Sequence, residues 1–202
     1  MLDLALHVRD HLLLAGAALA LALLAGLPAG VWAARSDRFR QLALGTINVG
    51  RVIPSLAVLA LMLPLLGIGF WPALVALTLL AVPPIAINTD IGLRGVPAAM
   101  VEAARGLGMT QGQVRARAEW PLALPVVFAG VRTATVEVIA SATLAAFIGG
   151  GGLGEYILNG LAEADTQQLL EGAVSVSILA LGAEALLGAL ERRLSTSVWG
   201  PA

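Results

Sequence analysis

Residues 101–108 read Val-Glu-Ala-Ala-Arg-Gly-Leu-Gly, and residues 118–121 read Ala-Glu-Trp-Pro. Both stretches lie in a polar island of about 25 residues, which separates some of the most hydrophobic segments of the chain. Those flanking segments are long enough to cross a bilayer. An island rich in arginine and alanine between them therefore predicts a loop on the membrane surface, where a soluble protein can bind it.

The local sequence predicts two short helices within this island. Pro97 suits the first turn of a helix, and two glycines, the second of which is Gly108, end that helix. Thr110 and Gln113 have the spacing of a capping box, which predicts a second short helix over residues 110–117. The small side chains of the first helix allow a partner to approach closely.

The island resembles the EAA loop of bacterial ABC importer permeases. That pattern is Glu-Ala-Ala, three residues, Gly, nine residues, a hydrophobic residue, one further residue, a second hydrophobic residue and Pro. The residues at the family positions are Glu102, Ala103, Ala104, Gly108 and Pro121. Ala118 stands where the family more often has isoleucine, and Trp120 where it often has leucine. The alternative is an ordinary amphipathic loop helix on a membrane protein.

The resemblance implies that this loop docks on a cytoplasmic ATPase. The implied coupling residues are Glu102, Ala103, Ala104, Arg105, Gly108 and Pro121. Among them, Glu102 and Arg105 offer charge-assisted hydrogen bonds to such a partner.

The composition excludes an ordinary soluble domain. Of 202 residues, 58% are hydrophobic and only 12% are charged, and the mean hydropathy is +0.89. The net charge of −1 comes with no basic patch, so we expect no nucleic-acid partner. The chain has no cysteine, which excludes disulfides and thiolate metal sites.

The hydrophobic pattern predicts an all-α, polytopic membrane helix bundle that forms a single domain over residues 1–202. We predict five transmembrane helices at about residues 12–34, 42–66, 72–88, 122–148 and 169–190, with a coupling loop at about 94–120. The first half of the second span carries Thr46, Asn48, Arg51 and Ser55, and it contains Pro54. A helix of this kind is expected inside the bundle, where neighbours satisfy freed backbone groups.

Arginine predicts the orientation. With the island in the cytoplasm, the arginines on that side are Arg35, Arg38, Arg40, Arg94, Arg105, Arg115, Arg117, Arg192 and Arg193. Arg9 alone lies outside, and Arg51 and Arg132 lie in spans. The positive-inside rule therefore predicts an external N-terminus and a cytoplasmic C-terminus.

Polar residues in the spans are candidates for a translocation path. Thr133, Glu137 and Ser141 are four residues apart and are expected on one face of the fourth span, with Ser55 as a further candidate in the second. An ionisable residue at this depth is expected to face the bundle interior. Two interpretations of Glu137 remain open: a path-lining carboxylate that attracts cations, and an interhelical hydrogen bond that fixes packing.

A glycine run follows the fourth span. Its members are Gly149, Gly150, Gly151, Gly152 and Gly154, and they predict a tight structural turn. The stretch 142–154 resembles the glycine turn of betaine/choline and methionine permeases. No Gly-Lys-Ser/Thr follows and the chain has no lysine, so this is not a nucleotide-binding P-loop.

The N-terminal residues 1–11 suggest an interfacial entry to the first span. His7 and His11 share a helix face near Asp10, but no fourth ligand is in sight, so we predict no metal site.

The resemblance implies the membrane subunit of a type I ABC importer, closest to the permeases for glycine betaine, choline and carnitine. It implies two ATPase subunits, a second permease chain that is identical or different, and an external substrate-binding protein. ATP and Mg²⁺ would be bound by the ATPases, and this non-catalytic chain would bind no cofactor. The expected location is a bacterial or archaeal plasma membrane, surrounded by lipid.

Alternatives remain for the substrate and for the class. A methionine-type permease shares the loop and the glycine turn. An ion-coupled secondary transporter would use Arg132 and Glu137 as coupling groups, but 202 residues show no inverted repeat. An intramembrane hydrolase is the weakest alternative, because a Ser141–Glu137 pair is poor nucleophilic chemistry.

Overall fold

The computed structural model describes residues 2–38, 40–41 and 53–199. In this part of the chain every regular element is helical. The α-helices are α1 (Leu2–Arg35), α2 (Ser55–Leu66), α3 (Phe70–Arg94), α4 (Ala98–Gly106), α5 (Gln111–Val114), α6 (Trp120–Ala142), α7 (Leu153–Ala162) and α8 (Thr166–Trp199). A π-helical turn, Arg115–Glu119, joins α5 to α6, and a 3₁₀ turn, Leu144–Ile148, follows α6.

Four helical segments are long and apolar enough to cross a membrane. They are Asp3–Arg35, Phe70–Arg94, Gln111–Ala142 and Thr166–Arg193. They correspond to the first, third, fourth and fifth predicted spans, and the all-α polytopic fold is confirmed. The second predicted span is represented by the shorter apolar helix α2, because residues 42–52 lie outside the described part of the chain.

The first predicted span is longer in the structure than the sequence suggests. Helix α1 has 34 residues, about 51 Å at 1.5 Å per residue, against a hydrocarbon core of about 30 Å. The predicted interfacial entry over residues 1–11 is therefore not a separate segment, since it continues directly into the span. His11 within it is fully buried.

Two other boundaries differ from the prediction. Helix α3 does not end near residue 88; it continues to Arg94, and Thr89 and Asp90, which follow the predicted end of the span, are buried. The predicted second loop helix over residues 110–117 is not separate. It runs through the π-helical turn into α6, because no residue between Gln113 and Trp120 breaks a helix.

The end of the fourth span is also earlier than predicted. Helix α6 ends at Ala142, and residues 144–148 form the tighter 3₁₀ turn that leads into the glycine run. Thr143 at the junction donates its hydroxyl to the carbonyl oxygen of Ala140, at 2.6 Å. The glycine run therefore starts from a compact turn and not from a free helix end.

Helix α3 is the centre of the bundle and packs against α1, α2 and α6. The contact faces are built largely from small residues; fully buried examples are Ala18, Ala22, Ala73, Ala76 and Ala81. Small side chains let membrane helices approach closely, so packing and not exclusion from water holds the bundle together.

Helix α8 lies at the edge of the bundle, against α6 and α7. Only 6% of its most apolar 18-residue stretch is buried against the rest of the chain. Between residues 170 and 190 its exposed side chains are mostly apolar, for example Leu170, Ile178, Leu181 and Leu186. A stripe of this composition is suited to contact with lipid.

Candidate functional site

Helix α4 presents most of the predicted coupling residues. It begins after Pro97, which is the N-cap and not the first helical residue as predicted, and it packs mainly on α5 and the π-helical turn. Glu102, Ala103 and Arg105 are exposed, whereas Ala104 faces inward and is 7% exposed. The Glu-Ala-Ala triplet therefore supplies one anchoring methyl group and an outward face that combines a small side chain with opposite charges.

Gly108 ends α4 in a Schellman motif. Its φ is +80°, its N–H donates to the carbonyl oxygen of Arg105 at 2.9 Å, and the N–H of Met109 donates to that of Ala104 at 3.2 Å. A residue with a Cβ is strained in this left-handed conformation, and glycine adopts it freely. The predicted glycine at this position therefore sets the direction in which the chain leaves α4.

The capping box predicted for the next helix is confirmed. The backbone N–H of Thr110 donates to the Gln113 side chain at 2.8 Å, and the N–H of Gln113 donates to the Thr110 hydroxyl at 3.4 Å. Val114, in the same turn, is fully buried, and the Arg105 guanidinium reaches the Gln111 side-chain oxygen at 3.4 Å. These contacts hold α4 and α5 together as a helix pair.

The outer surface of this pair is apolar as well as charged. Leu107 is 80% exposed and Met100 is 50% exposed, although both lie outside the four membrane-crossing segments. Exposed apolar side chains beside charged ones on a short protruding helix are typical of a protein-binding surface. Pro121, the last predicted coupling residue, is half-buried at the start of α6 and does not belong to that surface.

A network of ion pairs that was not predicted from the sequence anchors the segment leading into α4. The Asp90 carboxylate, 1% exposed, accepts from Arg94 at 3.0 Å and from Arg40 at 2.9 Å. Arg94 also donates to Asp37, and to the carbonyl oxygen of Ala33, at 2.8 and 2.9 Å. Asp90 and Arg94 have the local spacing of four residues, whereas the partners at Ala33, Asp37 and Arg40 are 50 to 61 residues away in sequence, so no local pattern reveals them. The network ties the end of α3, three residues before α4, to the end of α1.

We expect Asp90→Ala to destabilise the chain by about 2 kcal/mol. Removing one partner of a buried ion pair costs about 3–5 kcal/mol, and Arg40 and Arg94 recover part of that by rehydration since both are partly exposed. Thermal unfolding in detergent measures the change. The matched control is Asp10→Ala, because Asp10 is exposed and pairs only with its neighbour Arg9 among the described residues. Equal melting temperatures for the two variants would contradict the anchoring role.

The candidate translocation residues do not share one face. Thr133 and Glu137 are exposed on the surface of α6, whereas Ser141 is 7% exposed and faces the packed side. An α-helix turns about 400° over four residues, so a set spaced by four drifts by about 40° at each step. Glu137 faces outward from this single chain and not into its interior as predicted, and Ser55 at the start of α2 is half-buried.

Arg132 is held by two carboxylates of α8, which the sequence analysis did not foresee. One of its guanidinium nitrogens donates to Glu184, and the other donates to Glu191 at 2.8 Å. Gly188 lies between these two glutamates, where a Cβ would stand 3.3 Å from the guanidinium carbon. The spacing Glu-x₃-Gly-x₂-Glu on one helix face was the available signal. This cluster fastens α8 to α6 across the span.

The glycine run forms the predicted turn at the other end of α6. Gly149, Gly151 and Gly152 have φ of +75°, +74° and +74°. The N–H of Gly69 donates to the carbonyl oxygen of Ile148 at 2.7 Å, so the turn is bound to the loop between α2 and α3. Gly150 and Gly154 serve close packing, since a Cβ at either position would meet neighbouring backbone or methyl groups.

Polar contacts hold the N-terminal end of α1 to this region. His11 Nε2 lies 3.0 Å from the carbonyl oxygen of Ile139, and the His7 ring contacts the Tyr156 ring at 5.3 Å. The Tyr156 hydroxyl donates to Glu171 at 2.9 Å, which raises the pKa of Tyr156. The described residues contain no group of three His, Cys, Asp or Glu side chains arranged to hold a metal. Both histidines therefore have packing partners.

The comparisons with known proteins agree with this geometry. Carnitine transport permease protein OpuCB of Listeria monocytogenes is 43% identical over 186 residues, which cover 92% of this chain and 85% of the relative. Choline transport system permease protein OpuBB of Bacillus subtilis (strain 168) is 42% identical over 186 residues, with coverages of 92% and 86%. A solved inward-facing structure of the MetNI methionine ABC transporter superposes with a TM-score of 0.81 at 23% identity, covering 95% of each chain.

A helical bundle with a protruding EAA-type helix pair defines a permease of the ABC importer class. The family model for binding-protein-dependent transport system inner membrane components matches residues 26–196, and the chain belongs to that family. It is accordingly a multi-pass inner-membrane transport protein. The likeness to the methionine transporter shows the fold alone, at 23% identity.

Proposed function

We propose that this chain is the permease subunit of an ATP-driven importer for quaternary-amine osmoprotectants of the glycine betaine, choline and carnitine type. The observation that carries the coupling role is the outward face of α4, where Glu102, Ala103 and Arg105 stand beside the exposed Leu107. The substrate class follows from relatives about 40% identical that are named for carnitine and choline transport. No aromatic cage for a quaternary ammonium is evident in the predicted spans, so the external binding protein selects the solute.

The proposed assembly has two permease chains, two cytoplasmic ATPase subunits and one external binding protein. ATP and Mg²⁺ bind to the ATPases, and this chain itself is non-catalytic and carries no cofactor. The proposed orientation puts the N-terminus outside and α4 in the cytoplasm, which agrees with the distribution of arginine. The second permease chain is either a second copy of this chain or a different permease.

The proposed mechanism moves force from α4 into the bundle. ATP-driven closure of the ATPases displaces α4, and Arg94 passes this displacement to the end of α1 through the carbonyl oxygen of Ala33 and the Asp37 carboxylate. The exposed Thr133 and Glu137 face of α6 then lines the path between two permease chains. A carboxylate on an outward face at membrane depth is costly against lipid, which supports a polar environment or a protein partner there.

Two other functions are less well supported. A methionine-type permease has the same fold, but an identity of 23% carries no information on the substrate. An ion-coupled secondary transporter would need Arg132 as a mobile coupling group, and this guanidinium is already engaged by Glu184 and Glu191.

The proposed function is tested by extracting the chain from its native membrane in mild detergent and identifying the proteins that accompany it. We expect an ABC ATPase, and a binding protein that binds betaine, choline or carnitine in a calorimeter. A binding protein specific for methionine would move the chain to the methionine type. A stable chain that is recovered alone, in membranes whose uptake survives ATP depletion, would overturn the proposal.

A further inference from the structure

A cavity of about 190 Å³ lies beside the base of α4, between the end of α1, the end of α3 and the turn that leads into α6. The described residues contribute three guanidinium groups, one amide and one carboxylate to its polar lining, namely those of Arg35, Arg94, Gln111, Arg115 and Glu119. The coupling residues Glu102, Ala103 and Gly108 do not line it, so this cavity is distinct from the outward face of α4.

Two of the three guanidinium groups have no hydrogen-bond or ion-pair partner among the described residues. Among the described residues, neither Arg35 nor Arg115 makes a hydrogen bond or an ion pair, and both side chains are exposed. Each guanidinium has five N–H donors in a planar fork, and such a group in a concave site is suited to bind an anion.

The other polar groups of the cavity also have donors to spare. Arg94 uses Nε for Asp90 and Nη2 for Asp37 and the carbonyl oxygen of Ala33, and its Nη1 makes no hydrogen bond to a described residue. Gln111 accepts from Arg105 through its oxygen, so its NH₂ group can donate to a ligand. Among the described lining residues, Glu119 is the one with an acidic side chain, and it offsets only part of the charge of Arg35 and Arg115.

A small, multiply accepting anion fits this set of donors. The volume is below the roughly 300 Å³ at which pockets for drug-sized ligands begin, so the cavity suits a single compact group. Phosphate oxygens match the bidentate geometry of arginine. Basic pockets between membrane helices on the cytoplasmic side are also typical sites for lipid head groups.

We propose that this cavity binds a phosphate group at the cytoplasmic membrane surface, supplied by an anionic phospholipid or by free phosphate. The cytoplasmic location of the cavity depends on the orientation given in the proposed function, whereas the inference that it binds a phosphate group depends on the cavity alone. A bound phosphate joins the end of α1 through Arg35, the end of α3 through Arg94 and the entry to α6 through Arg115. Helix α4 is connected to the bundle through α3 on one side and α5 on the other. A bound phosphate therefore restricts the motion of the helix ends to which α4 is attached.

The test uses the full purified chain in nanodiscs of phosphatidylcholine, with and without phosphatidylglycerol. The variant Arg35→Gln/Arg115→Gln keeps hydrogen-bonding side chains and removes both guanidinium charges. The matched control is Arg117→Gln, which removes an exposed charge of the same π-helical turn outside the cavity. The protein is then exchanged into mixed micelles of detergent and phosphatidylcholine, and the phosphatidylglycerol that stays bound is quantified by mass spectrometry. Binding of inorganic phosphate is measured in parallel by calorimetric titration.

We expect the native chain and Arg117→Gln to retain phosphatidylglycerol, and the double variant to bind it about tenfold or more weakly, since charge-assisted hydrogen bonds are lost. Displacement by millimolar-range inorganic phosphate would assign the site to free phosphate, and resistance to displacement would assign it to the lipid. The proposal would be overturned if the native chain, Arg117→Gln and the double variant bound phosphatidylglycerol equally and also bound inorganic phosphate equally. Unchanged lipid binding with loss of ATPase co-purification in the double variant would also overturn it, because the arginines would then serve the ATPase.

These readouts do not depend on transport. If the chain proved not to be an osmoprotectant importer, phosphate binding by Arg35 and Arg115 would still be measurable. If the phosphate site were absent, ATPase and binding-protein partners would still be recovered with the native chain. The two proposals therefore fail separately.

Discussion

Gly154→Ala is expected to prevent the chain from accumulating in the membrane in a folded form. Gly154 lies in the first turn of α7, directly against the residue that caps α6. A methyl group there would overlap the carbonyl oxygen of Thr143 and stand 2.7 Å from its carbonyl carbon. Both atoms belong to the backbone, so no change of rotamer relieves the overlap. The expected cost is about 3 kcal/mol or more, at the upper end of overpacking effects.

Fluorescence-detected size-exclusion of detergent extracts measures this effect. Gly16→Ala and Gly182→Ala are matched controls, because a Cβ at either position meets nothing within 4 Å. Both controls should elute as the native chain does, whereas Gly154→Ala should be lost or aggregated. A native elution profile and melting temperature for Gly154→Ala would show that α7 does not pack on the turn after α6 in this way.

The glycine at position 154 illustrates what a single sequence reveals. The run of glycines predicted a tight turn, because several adjacent residues without a Cβ have few other uses. It did not reveal which glycines adopt positive φ, at Gly149, Gly151 and Gly152, and which serve close approach, at Gly154. That distinction depends on residues of α6 and of the loop after α2, which the sequence around the turn does not contain.

The predicted spans show a similar division between local and distant information. Hydropathy identified the membrane-crossing helices, and the capping residues Thr110 and Gln113 identified the start of α5. Asp90 lies beyond the predicted end of the third span at residue 88, yet it is buried, because Arg94 on the same helix and Arg40, 50 residues away, neutralise its charge. Arg132 and Glu184 form an analogous pair across α6 and α8. Periodicity locates an ionisable residue on a helix, whereas its partner is fixed only by tertiary packing.

The coupling loop was the most predictable part of the site, because its features are local. Spacing placed Glu102 and Gly108, and the structure adds that one is exposed and that the other has a φ of +80°. The exposure of Leu107, on which the proposed docking surface depends, could not be derived from spacing. It depends on which side of α4 rests on α5.

Glu102→Arg and Gly108→Val are expected to abolish uptake while leaving insertion and folding intact. The Glu102 carboxylate is exposed and makes no hydrogen bond or ion pair with the described residues, so reversing its charge affects a partner and not this chain. Valine at position 108 cannot adopt a φ of +80° without strain of about 1–2 kcal/mol, which unwinds the Schellman motif and redirects α4. A cost of that size at an exposed loop does not unfold the bundle.

The readouts are uptake of labelled choline and betaine into cells, ATPase recovered with the affinity-purified permease, and the amount of permease in the membrane. Glu163→Arg and Gly112→Ala are matched controls: Glu163 is exposed at the opposite end of the bundle, and Gly112 has open space around its Cβ position and no positive φ. Uptake should vanish in the two test variants, with ATPase binding weakened about tenfold or more, and persist in both controls. Normal uptake in Glu102→Arg and Gly108→Val would remove α4 from the coupling path. Loss of uptake with undiminished ATPase recovery would keep α4 on that path and place the defect after docking, in the transfer of motion to Arg94 and Asp90.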